Sequence, residues 1–273
     1  MKTELYTIET LSNLHVGSGE INFDVIDNQV QRDAITNLPN INSSSLKGAF
    51  REHFSVAGEE PSTMVKYIFG GSNDDKDSHT GGAYSFFEAQ LLTRPVRSNV
   101  KSYFNATSPA VIKNLLESIE NFDIVFDETL KQELIEFSKL KPQKHKPIIF
   151  QNITNAVLED DSALSDKFDT SKLTPFLGEN LALFEESDFQ ALDLPVLARN
   201  ALENGVSQNL WYEEVVPKKS KFFFYIGKAD NLDPKDYDQK IKSFESRFDR
   251  DGGRIQFGAN KSIGYGYSLV KKV

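Results

Sequence analysis

Cysteine is absent from the 273 residues, which removes disulfides, thiolate nucleophiles and thiolate zinc sites together. Histidine is scarce. The four present form no helical His-x-x-x-His pair, so the usual ligands of a zinc enzyme are missing too. Any metal is expected to sit on oxygen atoms. No run of eighteen or more apolar residues occurs, and the opening MKTELYTIET lacks the charged-then-apolar layout of an export signal. Neither a membrane span nor export is expected, which leaves the cytoplasm as the expected location.

What the sequence does have is enough apolar matter for a sizeable core: 39% apolar side chains, including 21 Phe. Its net charge of −9 argues against a polyanionic partner at first sight. The acidity is local, however. Lys113 to Asp193 hold seventeen acidic and eight basic side chains, which leaves the rest of the chain balanced at twenty-three of each. A neutral remainder can still carry a basic stripe on one face.

Periodicity predicts a strand over Thr3 to Leu11 and a helix over Ser44 to Phe54, with Leu46, Phe50 and Phe54 at i, i+4, i+8 and Ser44 or Ser45 as its cap. Ala83 to Thr93 reads as a strand. Ser108-Pro109 opens a helix through Ile119, and Lys221 to Gly227 is a buried strand. Asp233-Pro234 opens a second helix to Phe248, with Tyr237, Ile241, Phe244 and Phe248 on one face. Short strands follow over Arg254 to Phe257 and Tyr265 to Val270. The order predicts an α+β fold, a ferredoxin-like (RRM-like) βαββαβ palm over about 1–95 and 218–273. The long connection from Thr93 to Ser220 is predicted to hold a large helical insert, about 96–194, and a thumb hairpin, about 195–217. Gly70 to Gly82, rich in Gly and Asp, reads as a surface loop.

Three segments carry specific chemistry. In Leu14 to Arg51, HVGSGE, VIDNQVQRD and LPNINSSSLKGAFRE follow in close succession. Ser43, Ser44, Ser45, Lys47 and Arg51 surround one helix start, where free N–H groups and the dipole favour a phosphate. An ordinary capped helix with two solvated cations is the plainer alternative. In Phe257 to Ser268, FGANKSIGYGYS, Gly264 and Gly266 allow close backbone approach to a ligand and Lys261 supplies a cation. A tight hairpin is the plainer explanation. No Gly precedes the Lys-Ser pair and no long helix follows, so it is not a Walker loop. In Arg199 to Pro217, Asn204-Gly205 signals a hairpin whose second arm carries Leu210, Trp211 and Tyr212, side chains able to wedge between bases or to pack on the core.

Taken together, HVGSG, I-D-x-x-V-Q-R-D, LP-x-I-x-x-SSLKGAFR, LWYEEVVP and G-A-N-K-S-I-G-Y-G, in this order from Leu14 to Tyr267, resemble the RAMP superfamily of CRISPR proteins. Within it they look most like the backbone subunits of type III-B effectors. The resemblance implies a subunit that lines up with further copies of itself along a guide RNA, beside other effector subunits, and cuts paired target RNA at regular intervals. It implies that Asp27 is the cleavage residue and a ligand for a divalent cation, Mg²⁺ or Mn²⁺. It also implies a less defined catalytic role for His15 and a minor one for Glu214. Arg32, Ser44, Ser45, Lys47, Arg51, Trp211, Tyr212, Lys261 and Gly264 would meet RNA. Asn28-Gln29, Asp33 and Asn42-Ser43 depart from the family pattern, and Leu115 to Asp193 matches no motif. A carboxylate is a weak base for a hydroxyl, which makes a metal the expected helper. Three alternatives stay open: a backbone subunit that does not cut, a guide-maturation nuclease using His15 with Lys or Tyr, and a metabolic enzyme on the same fold.

Overall fold

A computed structural model describes residues 1–19, 25–56, 62–71, 81–229, 244, 246 and 252–273. The chain is a mixed α/β fold built around one large sheet. Its strands are β1 (Lys2–Thr10), β2 (Asn40–Ile41), β3 (Tyr84–Phe86), β4 (Ala89–Val96), β5 (Phe104–Thr107), β6 (Ile148–Ile149), β7 (Val157–Leu158), β8 (Asp161–Ser162), β9 (Leu164–Ser165), β10 (Leu181–Leu183), β11 (Val196–Glu203), β12 (Val206–Glu214), β13 (Lys221–Lys228), β14 (Arg254–Gln256) and β15 (Tyr267–Lys272). Its helices are α1 (Ser43–Val56), α2 (Ser62–Phe69), α3 (Pro109–Asn121), α4 (Glu128–Ser138), α5 (Thr174–Leu177) and α6 (Glu186–Ala191).

The sheet runs β14-β15-β1-β13-β4-β5-β10-β6-β9, with β2 added on β4 and β3 on β13. Strand β1 is antiparallel to both β13 and β15, and β13 is antiparallel to β4. KFFFYIGK is apolar at almost every position because β13 is covered on both faces. Alternation sends Phe224 and Tyr225 to opposite sides. Phe224 meets Phe50 of α1 at 5.7 Å and Tyr6 at 5.3 Å between ring centroids, while Tyr225 meets Phe122 at 5.5 Å. One face of the sheet thus seats α1 and the other seats the end of α3.

Several local expectations change on inspection. Helix α1 begins at Ser43, and Leu46 N–H donates to the Asn42 carbonyl at 2.8 Å, so Asn42 holds the cap position; Ser44 and Ser45 lie exposed in the first turn. Ala83 to Thr93 is two strands, β3 and β4, split at Phe87-Glu88 and both paired to β13. Ser108 does cap α3, its Oγ accepting from Val111 N–H. The insert expected to be helical also supplies β5, β6, β9 and β10, which continue the large sheet beyond β4. The predicted helix over Asp233 to Phe248 lies outside the described residues apart from Phe244 and Ser246. Phe244 is fully buried and stacks on Phe54 at 5.0 Å, as a core-facing position should. Most of the predicted Gly70 to Gly82 loop also lies outside them. Among the described residues no helix is long and apolar enough to cross a membrane.

Candidate nucleic-acid interface

Strands β11 and β12 form a hairpin whose turn residues, Asn204 and Gly205, both have positive φ (52° and 81°), as the Asn-Gly signal requires. Leu202, Val206 and Leu210 are 65%, 61% and 54% exposed, an apolar tip that packs on nothing described. Tyr212 is exposed too, whereas Trp211 is half-buried.

The root of this hairpin gathers the sequence-predicted residues. Leu14 and Val216 exchange backbone bonds of 2.9 and 2.8 Å. The stretch at Asn28 runs beside β12, donating to the Tyr212 carbonyl at 3.1 Å and accepting from Glu214 N–H at 2.9 Å. Asp27, at the head of that stretch, is exposed, and its Oδ2 accepts from Tyr212 N–H at 2.8 Å. Its Oδ1 has no hydrogen-bond partner among the described residues. Glu214, by contrast, is 5% exposed and fully engaged: Val30 N–H donates to Oε2 at 3.0 Å, and Arg32 Nη2 meets Oε1 at 2.5 Å. Arg32 Nη1 also reaches the Asn37 carbonyl at 3.1 Å. Glu214 and Arg32 are therefore held as a brace between hairpin and loop.

His15 is 6% exposed, with Nδ1 at 2.7 Å from the Glu214 carbonyl. A carbonyl can only accept, so Nδ1 carries a hydrogen and donates it to the Glu214 carbonyl. Gly17 lies against Nε2: a Cβ there would sit 3.3 Å from it. Burial and this neighbour keep His15 inside the root.

The Gly-rich C-terminal turn docks on the same root. Glu213 accepts from Arg199 Nη1 at 3.0 Å and from Asn260 Nδ2 at 2.6 Å, and Arg199 also bonds the Tyr265 hydroxyl at 3.2 Å. Gly258 and Gly266 have positive φ, and a Cβ on them would strike the His15 and Phe257 carbonyls. Their close approach is thus to the protein itself. Gly264, at φ 85°, faces open space. Lys261 pairs with Glu52 of α1 at 3.3 Å, an exposed contact of little energetic weight. Lys47 makes no ion pair among the described residues, and Arg51 makes one long bond to the Gly71 carbonyl, 3.5 Å.

Sequence reading passes over Arg94, an isolated cation on an apolar strand. Its guanidinium is buried and donates to the Leu192 and Asp193 carbonyls, the peptides that lead into the hairpin. Burial is the main force lowering its pKa to about 10. Arg199 and Asn260 were likewise invisible as partners, because nothing in their local sequence signals a bond to Glu213.

For a metal, Asp27 offers one exposed carboxylate, while the neighbouring Glu213 and Glu214 are committed. Among the described residues His145, Asp161 and Asp188 form the one group whose ligand atoms all lie within 4.8 Å of one another. It belongs to the insert, and its members already satisfy each other: His145 N–H donates to Asp188 at 2.6 Å and its ring bonds Asp161 at 3.1 Å.

An exposed carboxylate at the root of an apolar-tipped hairpin, on a sheet flanked by an open helix start, defines a class. The chain belongs to the RAMP superfamily, whose family model matches residues 7–270. It is similar to the CRISPR system Cmr endoribonuclease Cmr4 of Pyrococcus furiosus, 25% identical over 287 residues, spanning 99% of this chain and 95% of that protein. Its fold is shared by a chain of type III-B Cmr-beta bound to cognate target RNA, with TM-score 0.79 at 22% identity, covering 100% and 97% of the two chains. Oligomeric Cmr4 from Pyrococcus furiosus shares it as well, with TM-score 0.72 at 22% identity, covering 100% and 99%.

Proposed function

We propose that this protein is a backbone subunit of a type III-B RNA-guided effector, a cytoplasmic assembly in which copies of the chain line a guide RNA beside other subunits and cut the paired target RNA. The observation that carries the reading is the bond from Tyr212 N–H to Asp27, which fixes the candidate cleavage residue at the base of the hairpin that would part the duplex. Similarity to Cmr4 over nearly the whole chain supports the assignment.

The palm is assigned to about 1–95 and 218–273, the insert to 96–194 and the thumb to 195–217. The central order β15-β1-β13-β4, antiparallel throughout, supports a ferredoxin-like palm. The first turn of α1, with exposed Ser44 and Ser45 and with Lys47 and Arg51 one and two turns on, suits guide phosphates. Trp211, Tyr212 and the tip suit stacking against bases.

In cutting, an RNA 2′-hydroxyl gives up its proton and attacks the adjacent phosphate in line, forming a 2′,3′-cyclic phosphate as the P–O5′ bond breaks and the departing 5′-oxygen takes up a proton. A nucleotide splayed out by the thumb reaches that geometry at an unstacking cost of a few kcal/mol. With Oδ2 held by Tyr212, Asp27 Oδ1 is the atom left to take the proton or bind a cation. One carboxylate together with RNA phosphates and water suits Mg²⁺ or Mn²⁺, which would supply charge stabilisation at the phosphate. Glu214, Arg32 and His15 position the loop.

Asp27→Asn tests the reading, because its amide oxygen still accepts from Tyr212 N–H and the loop stays in place. Guide and target binding should be unchanged while target cutting falls about a hundredfold or more. Cutting at the original rate would assign Asp27 a structural role and the complex a non-cutting backbone.

A further inference from the structure

A cavity of about 590 Å³ opens between the end of β4, the turn at 159–161 and the segment 188–195, and His145, Asp161 and Asp188 all line it. The three come from separate elements. His145 sits in a turn closed by Lys146 N–H donating to the Gln143 carbonyl at 3.0 Å, Asp161 opens β8, and Asp188 lies in the first turn of α6. The two aspartates are 16 and 43 positions from His145, so no spacing motif announces the group.

The bonds already described hold the group together but leave one ligand atom over. Asp188 accepts the His145 backbone N–H through Oδ2, and its Oδ1 has no hydrogen-bond partner among the described residues. That side chain is 6% exposed, yet Oδ1 is not among the sealed, unpartnered buried atoms, so the cavity reaches it. A buried carboxylate oxygen left unpaired costs free energy, which a cation entering from the cavity would recover. Asp161 Oδ1 and Asp188 Oδ1 stand 3.1 and 3.8 Å from the same nitrogen, His145 Nδ1. Two ligand atoms each about 2.1 Å from one ion lie roughly 3 Å apart at 90° and roughly 4 Å apart at 140°, so both spacings suit a shared ion. Two carboxylates beside a neutral imidazole carry a charge of −2, the complement of a divalent cation. The cavity's arginines do not cancel it: Arg97 is spent on Glu159, at 2.7 and 2.9 Å, and Arg94 on the Leu192 and Asp193 carbonyls.

We infer that His145, Asp161 and Asp188 form a site for one divalent transition-metal ion, with Zn²⁺ the best match. An imidazole nitrogen with two carboxylates favours Zn²⁺ over Mg²⁺, and three protein ligands leave a fourth position for water. Binding requires Nδ1 to be free of its hydrogen, with the neutral ring protonated on Nε2 instead. The ion joins the 143–146 turn, β8 and α6. Helix α6 leads into Leu192 and Asp193, the peptides that Arg94 holds ahead of β11, so the ion steadies the segment from which the hairpin springs. The site does not rest on the proposed RNA cutting.

The test uses the untagged full-length chain, freed of RNA and stripped with EDTA. Calorimetric titration should show saturable binding of one Zn²⁺ per chain that excess Mg²⁺ does not displace. Zinc X-ray absorption should show one imidazole among oxygen neighbours. His145→Asn removes the imidazole while keeping a residue that tolerates the φ of 57° there, and Asp188→Asn keeps an oxygen for the His145 N–H. Each should weaken Zn²⁺ about a hundredfold or more, since loss of a group merely supporting a ligand costs about ten- to a hundredfold. Saturating Zn²⁺ should raise the melting temperature of the parent and of neither variant. Melting in EDTA checks that the variants fold, and Asp161→Asn replaces either one that does not. Asp27→Asn should bind Zn²⁺ as the parent does. The proposal would be overturned by absence of saturable Zn²⁺ binding, by binding that survives both ligand variants, or by binding lost in Asp27→Asn.

Discussion

Glu4 and Lys228 show how a single buried pair ties the sheet together. Lys228 is 1% exposed, 2.7 Å from Glu4, and Lys272 approaches the same carboxylate at 3.1 Å. Burial pushes the Glu4 pKa up, but the hydrogen bonds and charges of Lys228 and Lys272 more than reverse this and hold it at about 2, against an ordinary 4.5. A depressed carboxylate stabilises the fold at pH above its unfolded value, and that stability drains away as pH falls from about 4.5 through 2. Glu4→Gln should cost about 3 kcal/mol at neutral pH, by chemical denaturation, with the gap to the parent protein closing through that window. A constant gap from pH 6 to 2.5 would refute it. At this scale the sequence was legible in part. Asp27 and His15 stood out in quotable motifs, but Glu214 and Arg32 are 182 positions apart, and no local pattern announces that they meet. Sequence alone therefore offered no sign that Arg32 bonds Glu214 and the Asn37 carbonyl.

Among the elements, the hairpin was the most legible, because Asn-Gly needs two positive φ angles and little else in the chain supplies them side by side. The break between β3 and β4 was hidden: Phe87 is apolar, so the stretch from Ala83 reads as unbroken. The cap of α1 was misplaced by two or three residues because three successive serines and Asn42 are all good caps. The exposed tip carries its own expectation. Changing Leu202, Val206 and Leu210 to Ser keeps the turn and strand register, so guide binding should persist. The regular spacing of target cuts, read on a sequencing gel, should blur. Unaltered, sharp spacing would mean that the tip does not part the duplex.

For the whole molecule, the sheet continues beyond β4 into the middle of the chain through strands of two to four residues. Such short strands have no readable alternation, which is why the insert looked helical from sequence while α3 and α4 were visible. Head-to-tail assembly makes an interface that need not close. Particle mass should therefore rise in equal steps as longer RNAs are supplied, measured by native mass spectrometry; one mass for every RNA length would contradict the filament. The bonds at the hairpin root bear on that regularity. Arg94 grips the peptides before β11, Glu213 joins Arg199 to Asn260, and Glu214 joins β12 to Arg32, while the strand register slips only at Ala201/Leu202. In mechanical terms the hairpin is a cantilever, clamped at its root and projecting exposed over most of its length. On the proposed function the interval between cuts would be a ruler graduated by protein geometry, the same whatever RNA is laid against it.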